Sequence, residues 1–310
     1  MRIGLNTDSL GAMGLEEMLD AAAALGIEAV ELPTGAWSPA PHVDLDALVA
    51  SDTARRELLA RVRDRGLAIS ALTCNGNPLD PDPSGAEDDA VARKTIALAP
   101  LLGVDRVVMM SGCPGGPGDA HANWVTVSWP PQATEILDWQ WSERVIPYWR
   151  DLVGLATEHG IDKLCLELHG WQVVYNVPTL LRLREAVGPM VGANFDPSHL
   201  MWMDADPIAA VGALGEAIFH VHAKDTRLEP ERQALTSRLE TLPATESERR
   251  SWNYVTLGDG HGEDFWRDFC RALQAAGYDD VLSIEHEDEA ITPLEGVTRS
   301  VELLRRAMPS

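Results

Sequence analysis

Strand-like and helix-like segments alternate along the whole chain, and this alternation limits the possible folds more than any other feature. Eight short runs rich in β-branched and apolar residues read as strands: Ile3–Ser9, Ala29–Gly35, Leu67–Asn75, Arg106–Gly112, Lys163–His169, Gly192–Ser198, Ile218–Asp225 and Val281–Asp288. Helical patterns lie between them at Leu15–Leu25, Ala54–Arg65, Ala90–Leu102, Pro147–His159, Val177–Val187 and Phe265–Ala276, and a last one follows at Pro293–Met308. Six of these end in a glycine step, at Gly26, Gly66, Gly103, Gly160, Gly188 and Gly277, as left-handed helix caps do. Strict alternation with short helix-to-strand links predicts a parallel sheet with helical crossovers. Eight units predict an α/β fold of the closed (β/α)8 TIM-barrel type, spanning residues 1–310 as one domain. An open doubly wound sheet would carry G-x-G-x-x-G after its first strand, and the turn from Asn6 to Gly14 lacks it.

In such a barrel the links that follow strands form the active face. Two of them are long insertions. Residues 113–146, after the fourth strand, hold Trp124, Trp129, Trp139 and Trp141, with Trp149 just beyond, which is half of the ten tryptophans. This segment is too apolar to be disordered and is expected to pack as a lid or interface. Its indoles either seal the loop onto the barrel or present a sugar-stacking or partner surface. Residues 227–257, after the seventh strand, are charged and polar.

Composition narrows the partners. The chain has 25 Lys+Arg against 48 Asp+Glu, a net charge of −23. That excess repels phosphate backbones and anionic lipid, so neither nucleic acid nor membrane is an expected partner. No apolar run is long enough for a transmembrane helix. Met1-Arg2 leads straight into a strand, so no leader is expected. The cysteines Cys74, Cys113, Cys165 and Cys270 form no C-x-x-C pair, consistent with reduced thiols in a cytoplasm.

The last four strands each end in a metal-ligand type of residue: Glu167, Asp196, His222 and Glu285. The first three follow one another at intervals of about one βα unit, and the fourth follows after one unit plus the second insertion. In a barrel these ends are neighbours and their side chains converge at the active mouth. Three carboxylates and one imidazole form a hard site suited to Mn²⁺, Mg²⁺ or Co²⁺, with Zn²⁺ as a further option. Carboxylates placed there are costly unless paired or metal-bound.

Other residues share that mouth. His169 lies two positions after Glu167 and points to the same side, as a base or a substrate contact. Trp171 either stacks on a sugar face or packs at the rim. His199 follows Asp196 across a Pro-Ser turn and faces the mouth. His220 reads as a buried barrel-layer residue. Lys224 continues the face of His220 and His222, where its amine binds a substrate oxygen or forms a rim salt bridge with Asp225 or Asp288. The turn Gly258-Asp259-Gly260-His261-Gly262 is either a phosphate cradle or a plain glycine turn.

The stretches Leu166-Glu167-Leu168-His169-Gly170, Asn194-Phe195-Asp196-Pro197-Ser198-His199, His220-Val221-His222-Ala223-Lys224-Asp225 and Ser283-Ile284-Glu285-His286 together resemble the xylose-isomerase-like barrels. Within these the chain is similar to the sugar phosphate isomerases/epimerases, relatives of the ketose 3-epimerases and endonuclease IV. The resemblance implies that Glu167, Asp196, His222 and Glu285 bind one divalent metal, often manganese, with Glu167 and Glu285 as catalytic acid and base and His199 touching substrate. Arg227 lies one position off the place of a substrate-binding arginine of the epimerases. The histidines that endonuclease IV carries after its third and fourth strands are absent, since these ends read Thr73-Cys74-Asn75 and Met110-Ser111-Gly112. A three-zinc DNA-repair site is therefore not expected.

Some relatives with a histidine at the place of His169 resemble α subunits of C-glycoside deglycosidases, which act on 3-oxo-glycosides with a smaller partner subunit. The expected activity is thus metal-dependent sugar isomerisation or epimerisation by proton abstraction next to a carbonyl, through an enediolate. The alternative is a lyase that uses His169 or a glutamate as base, and a non-catalytic carbohydrate-binding barrel is a third class. The expected ligand is a small sugar or glycoside, neutral rather than highly anionic given the charge. A homo-oligomer is expected, and the lyase reading adds a smaller hetero-subunit.

Overall fold

A computed structural model describes residues 1–309 of the chain. Eight parallel strands close into a barrel: β1 (Arg2–Asn6), β2 (Ala29–Pro33), β3 (Ala68–Thr73), β4 (Arg106–Met109), β5 (Lys163–Glu167), β6 (Val191–Phe195), β7 (Ile218–Ala223) and, last in sequence, β10 (Val281–Ile284). Two further strands, β8 (Asp225–Leu228) and β9 (Trp252–Val255), pair antiparallel as a separate hairpin between β7 and β10. β1 pairs with both β2 and β10, which closes the ring. The TIM barrel expected from the alternation is the observed fold.

All six helix-ending glycines named above have positive φ; Gly103 and Gly160 are left-handed caps, whereas Gly188, at φ 106° and ψ 175°, is not. Polar caps start the helices: Asp44 accepts from the Ala47 N–H, Ser51 from Ala54, and Asn176 and Thr179 form a reciprocal capping box. The main core lies between helices and barrel, where Trp149, Trp266, Phe195 and Phe269 are fully buried. At the N-terminal end of the barrel Arg106 pairs with Asp105 and Asp280 at 2.8 and 2.7 Å and donates to the Phe219 carbonyl. No helix among the described residues is long and apolar enough to cross a membrane.

The elements depart from the sequence reading in several places. β1 ends at Asn6, and Thr7–Leu10 is a 3₁₀ turn. The helix expected from Ala90 begins at Pro83, capped by Asp82. Helix Pro207–Leu214 has no counterpart among the predicted segments, because PIAAVGAL is apolar all round and shows no helical period.

The Trp-rich insertion is irregular only as far as Pro130. Helix Pro131–Trp139 and a π-helical turn at Gln140–Val145 then lead directly into helix Ile146–His159. Trp141 and Trp149 are buried seals, with the Trp149 indole N–H donating to the Ser111 carbonyl at 3.0 Å, whereas Trp129 is 76% exposed. The polar insertion is the β8–β9 hairpin with helix Pro230–Thr236 and a 3₁₀ segment at Ala244–Arg249 between its strands.

Candidate metal centre

Strand geometry brings four ligand-type side chains together. Glu167 is the last residue of β5. Asp196 directly follows β6 and caps helix Pro197–Trp202, accepting from the Ser198 N–H at 2.8 Å. His222 lies one residue before the end of β7, and Glu285 directly follows β10, its N–H bonded to the Ala223 carbonyl. Because β5, β6, β7 and β10 are consecutive in the barrel, one donor atom from each residue lies within 4.8 Å of the others.

This donor set fits a divalent cation. Three carboxylates and one imidazole supply oxygen and nitrogen donors in a buried site. The Asp196 Oδ2 is buried and has no hydrogen-bond partner, although His199 Nε2 and Lys224 Nζ lie 3.2 and 3.5 Å away. It therefore keeps lone pairs for a ligand bond.

Positive groups hold the carboxylates ionised. Burial would raise the Glu167 pKa, but the hydrogen bond from His199 and the charges of His222, His199 and Lys224 bring it down to about 2. Asp196 and Glu285 are likewise lowered against burial, Asp196 chiefly by His199 and Lys224 and Glu285 chiefly by Lys224 and His222. Burial opposes charging His199, yet Asp196 and Glu167 raise it to about 9. The same opposition leaves His222 well above its ordinary value, because Glu31 and Glu285 outweigh burial.

A cavity of about 210 Å³ opens beside these groups, lined among others by Glu167, Glu285, His169, Lys224, Asn75 and Trp37. It is smaller than the roughly 300–1,000 Å³ of drug-sized sites and suits a small molecule. A larger hollow of about 680 Å³ lies off the barrel axis between the loops after β3 and β4, and none of Glu167, Asp196, His222 and Glu285 lines it.

His169 faces the small cavity. Its Nδ1 hydrogen bonds the Gly170 carbonyl, which only accepts, so Nδ1 carries the hydrogen and Nε2 the lone pair. Burial, with the neighbouring His199, lowers its pKa to about 4 and keeps it neutral. His199 donates from Nε2 to Glu167 at 2.8 Å, and its Nδ1 lies 2.9 Å from the Tyr254 hydroxyl.

Lys224 binds neither Asp225 nor Asp288, the partners expected for a rim salt bridge. It lies 2.8 Å from Glu285 and 3.4 Å from Glu287, because Asp225 and Asp288 already hold other donors. Arg227 is on β8, half-exposed, and pairs with Glu229 at 2.9 Å outside the small cavity. Trp171 is 51% exposed at φ 65° and does not line the cavity. That wall position is taken by Trp37, whose ring approaches His169 edge-on at 6.3 Å.

The Gly258–Gly262 turn is not an open phosphate cradle. Its N–H groups at Gly258, Gly260 and His261 converge on Asp225 Oδ2 at 3.0, 3.2 and 2.9 Å. Gly258 has φ +96°, and a Cβ on Gly260 would come within 2.4 Å of the Thr226 carbonyl, so glycine is required at both.

Several contributors escaped the sequence reading. Asn75 donates to Glu167 Oε2 at 2.8 Å, and Asn6 to Glu285 Oε1 at 3.4 Å. Tyr254 arrives on β9, from inside the polar insertion. Glu31 on β2 is fully buried and bonds both His220 and His222. An acid inside an otherwise apolar strand run was the available signal for Glu31, since it must find partners.

Comparison with known proteins places the chain. It is 47% identical over 311 residues, covering 99% of both chains, to an uncharacterized protein, YfiH, of Bacillus subtilis (strain 168). The IolI protein, whose crystal structure has a binding zinc atom, superposes with a TM-score of 0.67 at 18% identity over 100% of both chains. D-psicose 3-epimerase from Clostridium cellulolyticum H10, solved with D-tagatose, gives 0.63 at 15% identity, again over 100% of both. These two likenesses are of fold. The sequence profile of the xylose isomerase-like TIM barrels matches residues 19–307, and the chain belongs to that family.

Proposed function

We propose that the protein is a divalent-metal-dependent isomerase or epimerase of a small sugar. The observation that carries this reading is the convergence of donor atoms from Glu167, Asp196, His222 and Glu285 within 4.8 Å, beside a cavity of sugar-like size. The donor set favours Mn²⁺, with Mg²⁺, Co²⁺ and Zn²⁺ as substitutes. A bound divalent ion supplies Lewis-acid charge next to a carbonyl and a neighbouring hydroxyl.

The chain's own groups do the remaining work. Glu167 is ionised and accepts the proton from the carbon next to the carbonyl. The C–H electron pair becomes the enediolate double bond, and the former carbonyl oxygen takes the negative charge. Glu285, entering from the other side of β6 and β7, takes up a proton from solvent and delivers it to the opposite face, and Glu167 loses its accepted proton to solvent before the next turnover. Lys224 adds a positive charge 2.8 Å from Glu285, and Asn75 holds Glu167 in place.

The test is solvent-deuterium exchange into keto-sugars, with metal content measured on the same samples. Glu167→Gln should lose exchange by at least about 10²-fold. Unchanged exchange in a metal-loaded variant would sink the assignment of Glu167.

A second reading, elimination from a 3-oxo-glycoside, is supported by a separate hollow of about 600 Å³ lined by Trp124, Tyr175, Trp202, Met203 and Leu239. Gly170, next to His169, packs so tightly on Trp202 that a Cβ would lie 2.5 Å from the indole, so this hollow adjoins the metal-centre wall. In this reading His169 or a glutamate takes the proton next to the oxo group, the C–H pair forms a carbon–carbon double bond, and the aglycone leaves with the glycosidic pair and takes up a proton. Assays of 3-oxo-glycosides, with and without a co-encoded smaller subunit, separate the two: a free aglycone marks the lyase and a new stereoisomer the epimerase.

A further inference from the structure

We propose that Glu31 is the positioning residue that fixes the His222 imidazole at the metal centre, so that Nδ1 and not Nε2 is presented to the ion. This rests on the reading of His222 as a ligand. Glu31 sits on β2 with no solvent exposure, at the point where the pairing with β3 slips between Val30 and Glu31. It touches both His222 and His220, two residues earlier on β7, and so occupies the layer beneath the strand-end ligands.

Four donors converge on its carboxylate. His220 Nε2 lies at 2.9 Å, His222 Nε2 at 3.1 Å from both oxygens and Ser283 Oγ at 2.7 Å, and the Thr73 hydroxyl completes the set. A carboxylate offers about four acceptor sites, so all are used. The bonds come from β3, β7 and β10 and offset the cost of burying the charge. The group is held from three strands and has no spare acceptor with which to rotate.

An ionised carboxylate only accepts, so the His222 nitrogen facing it carries a hydrogen. When a cation is bound the ring is neutral and has one N–H. Nδ1 then keeps the lone pair. That nitrogen lies 3.2 Å from Glu285 Oε2 and 3.6 Å from Glu167 Oε2, on the side of the ligand carboxylates. Carboxylate partners of this kind orient metal-binding histidines and raise their basicity.

Glu31→Gln keeps the size but replaces one acceptor oxygen with an NH₂ donor. It should weaken Mn²⁺ binding by about 10–100-fold, measured by titration calorimetry with the metal alone. A purely structural role would instead lower the melting temperature of the chelator-treated protein and leave affinity intact. Ser283→Ala removes a donor from the same carboxylate without touching His222, and its affinity should stay within about threefold of wild type. Should the Glu31 variant fail to fold, NMR of histidine-labelled wild-type protein loaded with Zn²⁺ decides: His222 must show hydrogen on Nε2 and metal on Nδ1. Metal on Nε2, or a folded Glu31→Gln protein that binds Mn²⁺ as wild type does, overturns the proposal alone. Wild-type protein that takes up no divalent ion overturns the metal-centre reading, and this proposal with it.

Discussion

His199 donates from Nε2 to Glu167 across 2.8 Å, and the same nitrogen lies 3.2 Å from Asp196, so one imidazole spans two of the three strand-end carboxylates. The pH dependence of the metal-free protein follows from this pair. The folded-state pKa of His199 is raised from 6.5 to about 9, so its stabilisation is complete below 6.5 and is lost as pH rises toward 9. That of Glu167 is lowered from 4.5 to about 2, so its stabilisation is present above 4.5 and is lost as pH falls toward 2. Burial holds His169 at about 4, so its contribution is lost as pH falls below 6.5, and melting temperatures in chelator should therefore peak near pH 6.5. His199→Gln should flatten the alkaline limb; parallel profiles for the two proteins would count against the pairing.

Metal uptake should release protons. His222 is held well above its ordinary pKa by Glu31 and Glu285 despite burial, so a cation must displace a proton from it. Mn²⁺ affinity should rise with pH, and the calorimetric heat should vary with the ionisation enthalpy of the buffer. Saturating Mn²⁺ at 100 times its Kd should add about 2.7 kcal/mol to the stability of chelator-treated protein. A melting temperature indifferent to both chelator and Mn²⁺ would contradict a structural metal linkage.

Lys224 occupies an opposing position. Its ammonium lies 2.8 Å from Glu285 and 3.5 Å from Asp196, so it competes with an incoming cation for the same oxygens. Lys224→Met should tighten Mn²⁺ binding by about tenfold while lowering kcat, because the carboxylates gain freedom and the developing oxyanion loses a positive neighbour. Weaker metal binding in this variant would show that the ammonium organises the ligands and does not compete with the ion.

Arg227 and Trp171 stand apart from the small cavity, the first paired with Glu229 and the second half in solvent. Arg227→Ala and Trp171→Ala should each leave kcat and KM for a monosaccharide within about twofold. Trp37→Ala should raise KM clearly, since Trp37 lines the cavity beside His169. Steady-state kinetics on the three variants would rank these aromatic and basic groups directly.

The convergence of Glu167, Asp196, His222 and Glu285 was legible in the sequence because each stands at or near the end of a strand and each is costly to bury alone. The barrel was legible for a related reason: helical and strand periods differ, and glycine marks their junctions. Neutral groups gave no such signal. Asn6, Asn75 and Trp37 become meaningful only when β1, β2 and β3 close onto β10 and β5. Tyr254 was out of reach because a hairpin inside an insertion obeys no βα spacing. Arg227 shows the converse: it lies one position off the place that the resemblance gives a substrate-binding arginine, and the chain leaves the barrel at Lys224, so that Arg227 pairs with Glu229 outside the small cavity.

The bonds from Gly258, Gly260 and His261 to Asp225 tie together the two ends of the polar insertion. The hairpin thus hangs from the barrel as a pendant fastened at its neck. Doubling the length of such a loop costs only about 0.6 kcal/mol in closure entropy. Its tip can be rewritten with little strain on the strands beneath. Because that pendant also delivers Tyr254 to His199, a change in its sequence can retune the chemistry at the mouth without remaking the barrel.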